Sequence, residues 1–247
     1  MEEPAFHTMP DGRRIAHRFS AGRGPALVFL SGYMSDMNGG KATAVFDWAK
    51  AQGRACLLLD YSGCGASSGD FAHGTLSRWR EEVLALVEVR CAGPVILIGS
   101  SMGGWLMLLV ARQLGERLSG LVGIAAAPDF TDWGYDAEQK AALERGDTVY
   151  EPNPYGPEPT PTHPALWADG QQQRLLGGTI MLDCPMRLLH GQADQDVPCE
   201  VSLKLAAALH SPDVQVMLIK DGDHRLSRDA DIVLLLRTVA ALADRSS

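Results

Sequence analysis

Six apolar runs of strand length recur along the chain: ALVFL (26–30), ACLLLD (55–60), PVILIG (94–99), LVGIAAA (121–127), MRLLHG (186–191) and VQVMLIKDG (214–222). They lack the polar alternation of a half-solvated strand, so both of their faces must be covered by other elements; that is the pattern of parallel strands buried between helices. The intervening segments have helical period. Asn38 to Gln52 carries Ala42, Val45, Phe46 and Ala49 on one face and stops at Gly53; Leu76 to Val89 carries Leu76, Trp79, Val83, Leu86 and Val87; Met102 to Leu114 stops at Gly115. Pro198 opens a further helix ending near His210, and Ser227 precedes the last, with Ile232, Leu235, Leu236, Val239 and Leu242 on its inner face. Strand and helix in alternation predict an α/β fold with a mostly parallel, doubly wound sheet. Before it, two short runs flank Pro10-Asp11-Gly12 and read as an N-terminal hairpin.

One stretch breaks the alternation. From about 132 to 182 no strand-like run is visible, only a charged helix (Asp136 to Arg145), the segment EPNPYGPEPTPTHP and a second helix near Ala165 to Leu176. Fifty residues between two core strands is long for a connection and reads as an inserted lid within a single domain spanning 1–247. The length suits one large domain that buries roughly 70–75% of its unfolded surface, so the core needs no staples. The five cysteines lack CxxC spacing and read as reduced thiols, with no disulfide and no zinc site expected. A net charge of -8 without a basic run argues against a nucleic-acid partner, and no apolar run approaches the ~20 residues of a membrane span. The opening MEEPAFHTMPDGRRIAHRF has neither an apolar signal run nor an Arg-rich, acid-poor character, so the expected compartment is cytoplasmic.

GSSMGGW (99–105) lies between an apolar strand and an apolar helix, and it fits G-x-S-x-G in one register only, with Ser101 at the centre and Ser100 at the x position. A serine there sits on a sharp strand-to-helix turn whose flanking glycines let the two backbones pass closely. The first helical N–H groups beside it suit an oxyanion. The bland alternative is a turn with a capping serine. A serine hydroxyl is a poor nucleophile at neutral pH, so chemistry at Ser101 requires a histidine base and an acid that orients it. Of the seven histidines, His7 and His17 fall in the hairpin, His73 in a loop, His163 in the proline-rich insert, His190 at a strand end before a glycine, and His210 at a helix end. Only His224, in DGDHRLS, follows the last strand and precedes the last helix, where the fold that carries this elbow puts its base. For the acid, LLHGQADQDVP offers Asp194 and Asp196; Asp194 lies nearer the strand end, while Asp196 suits a helix-entry carboxylate, and Asp129 is a third candidate on an earlier strand.

The oxyanion donors expected are the backbone N–H groups of Met102 and of Tyr33, the latter in LSGYMSDMNGG after the first parallel strand. DYSGCGASSG (60–69) lacks the Lys-Ser/Thr pair of a phosphate loop and reads as a structural turn beside the site. The insert's Trp133, Tyr135, Tyr150, Tyr155 and Trp167 either pack the lid or line an acyl pocket; Trp133, Tyr135 and Trp167 are the pocket candidates.

Taken together, SGYMSDMNGGKA, DYSGCGASSG, GSSMGGWLML, CPMRLLHGQADQDVP and DHR followed by ADI resemble the α/β-hydrolase superfamily. Within it the chain is similar to the mitochondrial palmitoyl-protein thioesterase and acyl-glucuronide esterase group, as a bacterial-type relative. The resemblance implies a cofactor-free serine hydrolase, with Ser101 as nucleophile, Asp194 as acid and His224 as base, acting on a small-molecule acyl ester or thioester or on an acylated protein. A perhydrolase or C–C bond hydrolase on the same fold, or a ligand-binding receptor built on a hydrolase scaffold, are the rival readings.

Overall fold

The computed structural model describes residues 3–154 and 156–245. An eight-stranded sheet forms the centre, in the order β1-β2-β4-β3-β5-β6-β9-β10. Its members are β1 (Ala5–Thr8), β2 (Arg14–Ser20), β3 (Arg23–Leu30), β4 (Arg54–Leu59), β5 (Val95–Ser100), β6 (Leu118–Ile124), β9 (Met186–Gly191) and β10 (Val214–Ile219). The hairpin at Pro10-Asp11-Gly12 pairs β1 with β2, and β2 runs antiparallel to β4; every later pairing is parallel.

The apolar runs are buried on both faces because alternate residues feed two separate cores. On β3, Val28 and Leu30 join the core under α2 (Leu76–Arg90), α3 (Met102–Leu114) and α7 (Glu200–Ala208). Leu27 and Phe29 join the opposite core under α1 (Gly40–Ala51) and α8 (Asp229–Arg245). A strand with period-2 side chains between two helical layers can be apolar throughout. The last strand departs from this expectation: β10 is the sheet edge, and Gln215 and Leu218 are exposed.

The insert leaves the sheet after β6. It contains α4 (Phe130–Trp133), α5 (Ala137–Arg145), the short antiparallel pair β7 (Val149–Glu151) and β8 (Thr160–Thr162), and α6 (Pro164–Gln172). Asp136 and Gln139 cap α5 reciprocally, and Pro164 opens α6. The two strands correct the expectation of a strandless insert: each is three residues long, one contains Pro161, and so neither produces a readable apolar period. α6 also ends earlier than the helix expected to reach Leu176. The reason is at its C-terminus, where the Leu175 and Leu176 N–H groups turn to the Asp129 carboxylate instead of continuing the helix.

Candidate active site

Ser101 stands between β5 and α3 with φ 55° and ψ -122°, a backbone conformation that a residue with a Cβ adopts only when its surroundings enforce it. Its own N–H donates to the Ile124 carbonyl at 2.9 Å, and its carbonyl accepts from Gly104 at 2.8 Å and Ala127 at 3.1 Å. The turn is therefore tied to both the neighbouring strand and the helix it starts. Gly103 is required by close approach: a Cβ there would overlap the Leu30 and Ser31 carbonyl oxygens, so α3 can begin directly against the end of β3 only without one. That contact also brings the loop after β3 beside the serine.

Two further loops converge on Ser101 Oγ. His224, after β10, has Nε2 3.0 Å from Ser101 Oγ and Nδ1 2.9 Å from Asp194 Oδ2, after β9. The adjoining strand ends pack so closely that a Cβ on Gly191 would overlap the Gly222 backbone, which is how loops thirty residues apart meet. An ionised carboxylate only accepts, so His224 Nδ1 carries the proton and Nε2 presents a lone pair to the serine hydroxyl. The Asp194 side chain is wholly buried, and Oδ1 accepts the Asp196 and Val197 N–H groups at 2.9 Å each. Burial by itself would push its pKa up; the donors at His190, His224 and Val197 outweigh that and hold the carboxyl well below the ordinary range. A hydroxyl, a base and a fixed anion in this order can move a proton off Ser101 and stabilise the imidazolium that results.

The line opens into a cavity of about 840 Å³ lined by Ser101, Met102, Tyr33 and His224 on the body side, and by Trp133, Tyr135 and Thr162 on the insert side. Met102 is the first residue of α3, whose first-turn N–H groups have no partner within the helix. Gly32 lies against Ser101, with the site of its missing Cβ 3.4 Å from the Ser101 Cβ, so the backbone that carries Tyr33 flanks the hydroxyl from the other side.

Residues 27–245 match the family described as Alpha/beta hydrolase family. The chain belongs to the α/β-hydrolase family. Among its relatives is the human palmitoyl-protein thioesterase ABHD10, mitochondrial, 37% identical over 98% of this chain and 81% of that protein; the mouse protein of the same name is 40% identical over 94% and 80%. The mouse ABHD10 structure superposes with a TM-score of 0.92 at 37% identity, covering 100% of both chains. A putative hydrolase from Agrobacterium vitis S4 superposes with a TM-score of 0.91 at 38% identity, covering 98% of this chain and 100% of that one. This α/β-hydrolase is thus closely related to the ABHD10 thioesterases and has structural relatives in both bacteria and mammals. The expectation of a cytoplasmic protein is corrected by the same relatives. It rested only on the composition of the opening residues, whereas the human, mouse, Pongo abelii, rat and Bos taurus proteins are all mitochondrial by name. No helix among the described residues of the α/β-hydrolase is long and apolar enough to cross a membrane.

Other residues singled out in the sequence fall elsewhere. Asp196 is exposed at the cavity wall and meets Asp194 through its backbone N–H. The ligand atoms of Asp194, Asp196 and His224 lie within 4.8 Å of one another, but the His224 Nδ1 and Asp194 Oδ2 atoms are already committed to each other. Asp129 is buried beneath the insert, where it accepts Leu175 N–H at 2.8 Å and Leu176 N–H at 2.7 Å. Trp167 packs with Tyr135, Leu143 and Val149 inside the insert and donates to the Thr131 carbonyl at 3.1 Å, whereas Trp133 and Tyr135 line the cavity. Tyr150 is exposed, and Tyr155 lies outside the described residues. In DYSGCGASSG the buried Asp60 accepts the Met37 and Ala66 N–H groups and shapes a turn. Two contributors carry no readable motif. Lys41, at the start of α1, donates to the Arg225 carbonyl next to His224; burial brings its pKa down to about 8. His190 lies directly beneath Asp194.

Proposed function

We propose that this α/β-hydrolase is a serine hydrolase cleaving carboxylic esters or thioesters of small to medium acyl groups through a covalent acyl-enzyme. The hydrogen-bonded line from Ser101 Oγ through His224 to Asp194, at the floor of the cavity, is the observation that supports this reading. His224 Nε2 takes the Ser101 proton as Oγ attacks the acyl carbonyl. The Met102 and Tyr33 N–H groups receive the oxyanion. The imidazolium, stabilised by Asp194, returns its proton to the departing alkoxide or thiolate as the acyl–Ser101 bond remains; water, deprotonated by the same histidine, then releases the acid and restores the hydroxyl. Met102 and Tyr33 act through their backbone, so side-chain substitution does not remove the donors. Trp133 and Tyr135 bound the acyl chain.

Thioester cleavage is supported by the names of the ABHD10 relatives, and the substrate is proposed as a small acyl ester, an acyl thioester or an acylated protein. Intact-mass analysis after mixing with p-nitrophenyl esters and palmitoyl thioesters tests the reading. One acyl adduct that maps to Ser101 and decays as product forms is expected; turnover without an adduct there, or an adduct elsewhere, contradicts it.

A further inference from the structure

His190 ends the buried run of β9, and its side chain is fully excluded from solvent. Its ring has three partners. Nδ1 lies 2.6 Å from Ser202 Oγ on α7, while Nε2 lies 2.9 Å from the Val197 carbonyl and 3.2 Å from Asp194 Oδ2. A carbonyl and an ionised carboxylate can only accept, so the proton is on Nε2. In the neutral ring Nδ1 then holds a lone pair, and the Ser202 hydroxyl donates into it. The proton positions are thereby assigned along Ser202, His190, Asp194, His224 and Ser101.

Asp194 consequently has its two oxygens held differently. Oδ1 is fixed by the backbone N–H groups of Asp196 and Val197, and Oδ2 faces two imidazole N–H groups, those of His224 and His190. Val197 also closes a ring: it donates its N–H to Asp194 and accepts the His190 proton at its carbonyl. His190 is absent from the cavity wall, so its polar edge serves no substrate. A histidine at a fully buried strand position costs desolvation that an apolar residue of similar volume would not, unless its partners are all present, as they are here.

We propose that His190 is a positioning residue for the acid of the triad: its Nε2–H sets the rotation of the Asp194 carboxylate and the course of residues 194–197, so that Oδ2 meets His224 Nδ1. This rests on the reading of Ser101, His224 and Asp194 as the reacting groups.

Two variants separate positioning from bulk. A glutamine amide reaches the place of Nε2 and can donate to Val197 and Asp194, whereas an asparagine amide reaches only the place of Nδ1. His190→Asn should lower kcat for a p-nitrophenyl ester by roughly 10- to 100-fold, the size of effect that orienting hydrogen bonds have on metal-bound histidines, with KM unchanged. His190→Gln, which keeps the donor, should retain most of the wild-type kcat. The low-field proton NMR signal of His224 Nδ1–H should persist in wild type and His190→Gln and be lost in His190→Asn. Equal kcat in the two folded variants, or an unchanged low-field signal in His190→Asn, overturns the proposal. If His190→Asn does not fold, Ser202→Ala keeps the ring and removes the partner that fixes its tautomer; a several-fold fall in kcat at constant KM is expected, and wild-type kcat contradicts the proposal. Fluorophosphonate labelling of wild type separates the two levels: no labelling at Ser101 removes the triad reading itself, whereas labelling with indistinguishable His190 variants removes only the role of His190.

Discussion

The Tyr33 hydroxyl donates to the Pro161 carbonyl at 2.8 Å, linking the loop after β3 to a strand of the insert across 128 positions of sequence. The same ring sits edge-on to Phe71 and Phe130, so the residue whose backbone flanks Ser101 also clasps the lid with its side chain. Tyr33→Phe removes the hydroxyl and keeps the backbone N–H and the ring. It should lower stability by about 1 kcal/mol and leave kcat on a short ester within a few-fold, read by thermal unfolding and steady-state kinetics. Loss of turnover by orders of magnitude in the folded variant would place the hydroxyl itself in the chemistry.

The proposed mechanism makes Asp194, which meets His224 Nδ1 at 2.9 Å, the acid and leaves Asp196 at the cavity wall without a part in the chemistry. Asp194→Asn should depress kcat by up to ~10⁴, as an asparagine that imposes the wrong histidine tautomer does in serine proteases, and Asp196→Asn should be nearly silent. The reverse pattern would exchange their roles.

Its hydrogen-bond donors outweigh burial and hold the Asp194 carboxyl well below the usual carboxylate range, so Asp194 remains an anion in mildly acidic solution. Protonation of His224 removes the lone pair that accepts the Ser101 proton, so log(kcat/KM) should fall on the acid side with a slope of one. A slope of two would mean that a second group in the free enzyme, such as Asp194, titrates there too. The sign for stability is the usual one for a lowered carboxyl: the Asp194 contribution is present above the unfolded aspartate value near ~3.9 and is lost as pH falls through the folded value.

Much of this architecture is legible in the residues themselves. α3 and β9 fall where the apolar runs and their glycines put them; an element buried all round shows no period, and here the length of each run, thirteen residues against six, separates helix from strand. The elbow serine, the histidine after the last sheet strand and the aspartate after β9 likewise follow from chain order, since each stands at a strand end. Side-chain partnerships inside the insert are not legible. Nothing local tells Trp133, which reaches the cavity, from Trp167, which packs against Val149 and Leu143. His190 carries no motif either, because its role depends on a carboxylate that only tertiary packing places 3.2 Å from its ring.

That difference between the tryptophans is measurable. Trp133→Ala enlarges the acyl side of the cavity and should move the preferred p-nitrophenyl ester to longer chains. Trp167→Phe loses a bond to the Thr131 carbonyl, and should cost about 1 kcal/mol of stability with the chain-length profile unchanged. A shifted profile in Trp167→Phe and none in Trp133→Ala would reassign the pocket wall.

Nucleophilic attack by Ser101 is the centre of the account, and covalent labelling with a fluorophosphonate probe tests it most directly. The wild-type protein should label stoichiometrically at Ser101, and Ser101→Ala, folded by thermal unfolding and circular dichroism, should not label at all. Equal labelling of the two proteins, or none of either, would contradict it.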